Sequence, residues 1–132
     1  MNKEDFQYKI YGHLTGIKSK ILNSLEGKSP EWLLQRSNEL EQVIQNDFEA
    51  KEFPFSESND EIAGALADMI EAYPSPLSWH EDWIMCANVI SNFQPEKAAD
   101  WPFADYFRRY MAFFKAKTEI RYIDNILNQS NK

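Results

Sequence analysis

Phe6-Gln7-Tyr8-Lys9-Ile10-Tyr11-Gly12-His13-Leu14-Thr15-Gly16-Ile17-Lys18-Ser19-Lys20-Ile21-Leu22-Asn23-Ser24-Leu25 is the stretch on which the fold turns. Its apolar side chains at Phe6, Ile10, Leu14, Ile17, Ile21 and Leu25 recur at three- and four-residue steps, the period of a helix with one apolar face. A helix is therefore expected over about 3–26, ended by Gly27-Lys28. Gly12 and Gly16 lie four apart on it. They either admit a close neighbouring helix or loosen the middle, since glycine costs a helix about 0.5–1 kcal/mol against alanine.

The same period continues downstream. Ser29-Pro30-Glu31 supplies a cap, a proline at the first helical position and an acid in the first turn, and Leu33, Leu40, Val43, Ile44 and Phe48 carry a second helix to about 49. Lys51 to Glu57 has no helical period and contains Pro54, so it reads as a loop. Ser58-Asn59-Asp60-Glu61 is a capping box that opens a third helix, with Ile62, Leu66, Met69, Ile70 and Tyr73 inward and Pro74 as its stop. Ser75-Pro76 or Ser78-Trp79-His80-Glu81 opens a fourth, with Trp79, Trp83, Cys86, Ala87, Ile90 and Phe93 on one side until Pro95. After a connector, Asp100 can cap a last helix from about Pro102 towards Asn128, striped by Tyr106, Tyr110, Phe113, Ile120, Ile123 and Leu127. No segment alternates apolar and polar between turn signals. The expectation is an all-α protein, one domain over 1–132 with about five helices in a bundle.

Composition agrees. A chain of 132 residues is the size of one ordinary domain, and 43% hydrophobic content excludes disorder over most of it. A single cysteine, Cys86, forms no internal disulfide and asks for no oxidising compartment. Met1-Asn2-Lys3-Glu4-Asp5 leads into no apolar leader. The longest charge-free stretch, Trp83 to Pro95, is shorter than the roughly 20 apolar residues of a bilayer span. A soluble, cytoplasmic protein without membrane contact is expected.

The formal charge is −7, from 21 acidic and 14 basic side chains. Residues 1–28 carry five lysines against three acids, residues 29–100 three basic residues against fifteen acids, and residues 101–132 six against three. Acid is thus concentrated in the middle of the chain, with Glu49, Glu52, Glu57, Asp60 and Glu61 close together in sequence. An acidic surface is commonly just a solvated one, but it also steers a basic partner. Direct nucleic-acid binding is disfavoured, because a phosphate backbone demands a basic face.

No catalytic or metal constellation stands out. His80-Glu81-Asp82 has the residue types of acid–base work, but successive helical positions point about 100° apart and cannot converge on one atom. Glu81 is also explained as the capping partner of Ser78. Two histidines and one cysteine at these spacings do not suggest a zinc site, no phosphate loop or nucleophile motif is present, and Cys86 reads as a packing residue. No cofactor, no metal and no enzymatic activity are expected. The seven aromatics between Trp101 and Phe114 read chiefly as core, with a ligand groove or dimer contact as the other use. Phe53-Pro54-Phe55 between Glu52 and Glu57 has the form of an apolar anchor inside an acidic rim.

In size, acidity, helical make-up and lack of a catalytic constellation, the chain resembles the small immunity proteins of bacterial toxin systems. The resemblance is one of whole-chain profile and carries no family residues across. It implies a protein-binding inhibitor that neutralises a basic toxin or nuclease. Partner contact is then expected at Glu49, Glu52, Phe53, Phe55, Glu57, Asp60 and Glu61, together with Asp68, Glu71, Glu81 and Asp82. There are two alternative readings: a nucleic-acid-mimicking anti-defence protein that sets the same acids at phosphate-like spacing, or a helical ligand-binding or assembly protein that uses the aromatic stripe.

Overall fold

The computed structural model describes residues 2–47, 56–73, 77–91 and 103–130. Among them are five α-helices and no strand: α1 (Lys3–Ser24), α2 (Pro30–Asp47), α3 (Asn59–Ala72), α4 (Trp79–Ser91) and α5 (Ala104–Ser130). The all-α class follows as expected. The loop at 51–55, the cap at Asp100 and the side chains of Phe48, Ile90, Phe93 and Trp101 lie outside the described residues.

Short polar side chains start the first four helices by taking amide protons that have no carbonyl partner in the first turn. Asn2 Oδ1 accepts from the Asp5 amide at 2.9 Å and Asp5 returns a bond to the Asn2 amide at 3.4 Å, a cap absent from the sequence reading. Ser29 accepts from Trp32 N–H at 3.1 Å. Ser78 and Glu81 form the full reciprocal box, with bonds of 3.0 and 3.2 Å, which places the start of α4 at Ser78 rather than Ser75. The box at α3 is relayed. Ser58 Oγ accepts from the Glu61 amide at 3.4 Å, while the Ser56 hydroxyl accepts from the Ser58 amide and donates to the Glu61 carboxylate.

Helix α1 stops two residues before the expected end. Leu25 and Glu26 donate instead to Leu22 and Asn23 carbonyls three residues back, and Gly27 takes a φ of +74°, which favours glycine. Gly12 and Gly16 are exposed, and a methyl group at either would meet nothing within 4 Å. Among the described residues they admit no close neighbour.

The chain forms two compact units, and α1 and α5 each contribute to both. The first comprises Met1–Gly16 and Pro54–Met111. Its core is Phe6, Ile10 and Leu14 of α1, Ile62, Ala63, Leu66, Ala67 and Ile70 of α3, Cys86 and Val89 of α4, and Ala104, Phe107, Tyr110 and Met111 of α5. The Phe6 ring meets Trp79 at 5.3 Å. Fully burying side chains of this size contributes about 1.5–3 kcal/mol each.

The second unit comprises Ile17–Phe53 and Ala112–Lys132. Leu25, Leu33, Leu40, Ala116, Ile120 and Ile123 form its buried cluster, with Ile21, Ile44, Tyr122, Ile126 and Leu127 packed on it. Arg36 of α2 donates from Nε to Glu119 Oε2 of α5. Lys18 Nζ lies 5.9 Å from the centre of the Phe114 ring.

Three expected core assignments differ. Val43 is exposed because the buried stripe of α2 runs through Leu33, Ser37, Leu40 and Ile44, and Val43 lies to its side. Tyr73 is 71% exposed, for the backbone leaves the helix at that residue. On α5 the expected single stripe is two. Ala104, Phe107, Met111, Phe114 and Thr118 follow one helical row, and Phe113, Ala116, Ile120 and Ile123 follow another about half a turn round. The aromatic run of 103–114 is accordingly core: Phe107, Tyr110, Phe113 and Phe114 are buried, and Phe103 and Tyr106 partly so.

Candidate functional site

The residues expected to meet a partner fall into three groups. Glu49, Glu52, Phe53 and Phe55 lie outside the described residues. Glu57, Asp60, Glu61, Asp68, Glu71 and Glu81 are exposed, and all belong to the first unit. Asp82 corrects the expectation: it is 2% exposed. Glu81 stays outside to cap α4, and one step of 100° turns Asp82 inward, onto the buried row Asp82, Cys86, Val89. The large rings of Trp79 and Trp83 suggested a different face, but both are only half-buried. The first turn of α4 suits a carboxylate, because the amide ends of the helix point towards it.

Several of the exposed acids already have work inside the molecule. Lys3 Nζ reaches Asp68 at 2.7 Å and Glu71 at 3.2 Å, and these two hydrogen bonds hold its ammonium above the usual lysine range. Glu61 accepts from Ser56, and Glu81 accepts from its own cap. Asp60 is in no ion pair among the described residues.

Asp60 instead faces a groove of about 510 Å³ between α1 and α3, lined by Glu4, Gln7, Tyr8 and Tyr11 of α1 and by Asp60 and Ala63 of α3. Tyr8 is 80% exposed and Tyr11 42%. No lysine or arginine lines it. The α1 side of this groove was missed in the sequence, yet a signal was there. Glu4, Tyr8 and Tyr11 lie opposite the Phe6, Ile10, Leu14, Ile17 row, so two rings on that helix had to be exposed.

Charge separates the units. The first holds twelve acidic and five basic side chains, a net of −7, and the second nine of each, a net of zero. The entire formal charge of the chain belongs to the first unit.

The chemistry-bearing residues of the first unit gather around Trp83. Lys9 Nζ lies 4.4 Å above its ring, and His13 and His80 each meet it at 6.0 Å. Burial, and then the Lys9 charge, hold His13 below the usual imidazole range. Cys86 is fully buried, and burial with the nearby Asp82 carboxylate pushes its thiol well up, away from the reactive thiolate. Among the described residues, no three His, Cys, Asp or Glu side chains are placed to hold a metal ion, and no helix is long and apolar enough to cross a membrane.

No protein-family model matches the chain, and no significant similarity to a curated protein or to a solved structure is found.

Proposed function

We propose that this protein is a stoichiometric inhibitor of a basic protein, most simply an immunity protein that neutralises a bacterial toxin or nuclease in the cytoplasm. The observation that carries the reading is the placement of all seven net negative charges in one compact unit, where Glu57, Asp60, Glu61, Asp68, Glu71 and Glu81 are exposed. Charge gathered this way raises self-repulsion, and a basic partner relieves it. A nuclease holds phosphate with a positively charged site, so an acidic surface that covers that site is matched to it. The protein acts by occupancy, with no turnover and no cofactor. Acids at the edge of the contact set the association rate, and a few desolvated central contacts set the lifetime of the complex.

The test is capture from the native host lysate followed by assay of what is captured. One basic protein should be recovered near one-to-one and released by high salt. Its toxic or nuclease activity should fall to zero as the chain is added to equivalence. A captured protein whose activity is unchanged at equivalence would refute inhibition, and recovery of nothing would remove the basic partner.

A further inference from the structure

We infer that the groove between α1 and α3 is a seat for an arginine side chain of the partner, an inference that rests on the inhibitor reading and names one contact within it. Four features of the groove converge on a guanidinium. Its walls carry two carboxylates, Glu4 and Asp60, with no internal cation between them among the described residues. By contrast Asp68 and Glu71, on the same helix as Asp60, are held by Lys3. The groove also offers two tyrosine rings, of which Tyr8 is 80% exposed. Ala63 adds only a methyl group to the lining and so leaves room.

The molecule's own habits sharpen the point. Lys9, Lys18, Lys28 and Lys117 each lie over a ring of this chain, at Trp83, Phe114, Trp32 and Phe113. No cation of the described residues lies over Tyr8 or Tyr11. A ring beside a carboxylate, both open to water, is the pairing that a planar guanidinium satisfies at once: its face stacks on the ring and its fork meets the carboxylate oxygens. A lysine ammonium satisfies the charge but not the stacking. An anionic ligand is repelled by both acids.

The probe is acetyl-Gly-Arg-Gly-amide, compared with its lysine and citrulline counterparts by NMR titration of the full chain. The arginine peptide should move the amides of Tyr8, Tyr11, Asp60 and Ala63 saturably. Lysine should bind more weakly and citrulline, neutral but of the same shape, weakest. Tyr8→Ala and Asp60→Asn should each weaken the arginine peptide about two- to fivefold, and Tyr8→Phe, which keeps the ring, should restore it. Both sites are exposed, so unchanged circular dichroism should accompany these losses.

Equal binding of arginine and lysine, with shifts spread over Glu57, Asp68, Glu71 and Glu81, would overturn the inference, as would the absence of saturable shifts. The two readings fail separately. If Tyr8→Ala/Asp60→Asn still inhibits a captured partner at full strength, the seat is wrong and the inhibitor stands. If the arginine peptide binds as described but no basic protein is captured, the inhibitor is wrong and the seat stands.

Discussion

The two compact units are built from the same material and end with different electrostatics, one acidic and one neutral. Each uses part of α1 and part of α5, and each buries a set of apolar side chains. In the second, nine acids meet nine bases, and Arg36 and Glu119 join α2 to α5. In the first, twelve acids meet five bases, two acids share Lys3, and others stand exposed around a groove with two tyrosines. A charge-balanced unit is what stability alone asks of a surface. An unbalanced one carries a self-repulsion that folding does not require, and that difference is the reason to look for a partner on the first unit.

Core truncation is the largest effect expected and tests whether the units are equally built. Phe6→Ala in the first should cost about 3–5 kcal/mol and Leu33→Ala in the second about 2–5, measured by urea unfolding. A loss below about 1 kcal/mol at Phe6 would contradict its place in the core. Next comes the ion pair of the second unit. Arg36→Met should cost about 1–2 kcal/mol, since Glu119 is largely covered and loses its charged donor. Smaller still, Gly12→Ala and Gly16→Ala should each stabilise α1 by about 0.5–1 kcal/mol, because a methyl group meets nothing there.

How much of this was legible follows from which residues carried the signal. The row from Phe6 to Ile21 on α1 was readable because all its members are apolar and only one face of that helix is covered. The caps at Ser29, Ser58 and Ser78 were readable because their chemistry is local. The inner face of α4 was readable only at Cys86. Two tryptophans outweighed an aspartate in any reading by hydrophobicity, and only the packing shows that Asp82 is inside. Helix α5 misled for another reason: its buried residues form two rows, and a single stripe drawn through Tyr106, Tyr110, Phe113 and Ile120 takes in members of the second and misses the first. The charge map failed for a topological reason. Residues 29–100 read as one acidic block, yet α2 belongs to the second unit, where its acids are balanced, while α3 and α4 belong to the first.

The finest distinction between the units is a pH dependence. His13 of the first is held below its ordinary value by burial and by Lys9, so the unfolded chain binds that proton more tightly than the folded one. Stability then rises with pH across the imidazole range. The contribution is complete above the ordinary value of about 6.5 and is lost as pH falls below it. Urea midpoints taken at about pH 7 and about pH 5.5 should therefore fall on acidification, and His13→Gln should remove part of that fall. An unchanged slope in His13→Gln would place the proton uptake elsewhere.

The most direct measurement compares charge reversals in the two units against one lysate. The chain as it stands, Glu57→Lys with Asp60→Lys in the first unit, and Glu39→Lys with Glu41→Lys in the second are each tagged and used for capture. One basic protein near one-to-one, recovered by the unaltered chain and by the second-unit variant but lost from the first-unit variant, is the expected result. Equal recovery by all three would contradict the account, because the charge that distinguishes the first unit would then have no part in what the protein binds.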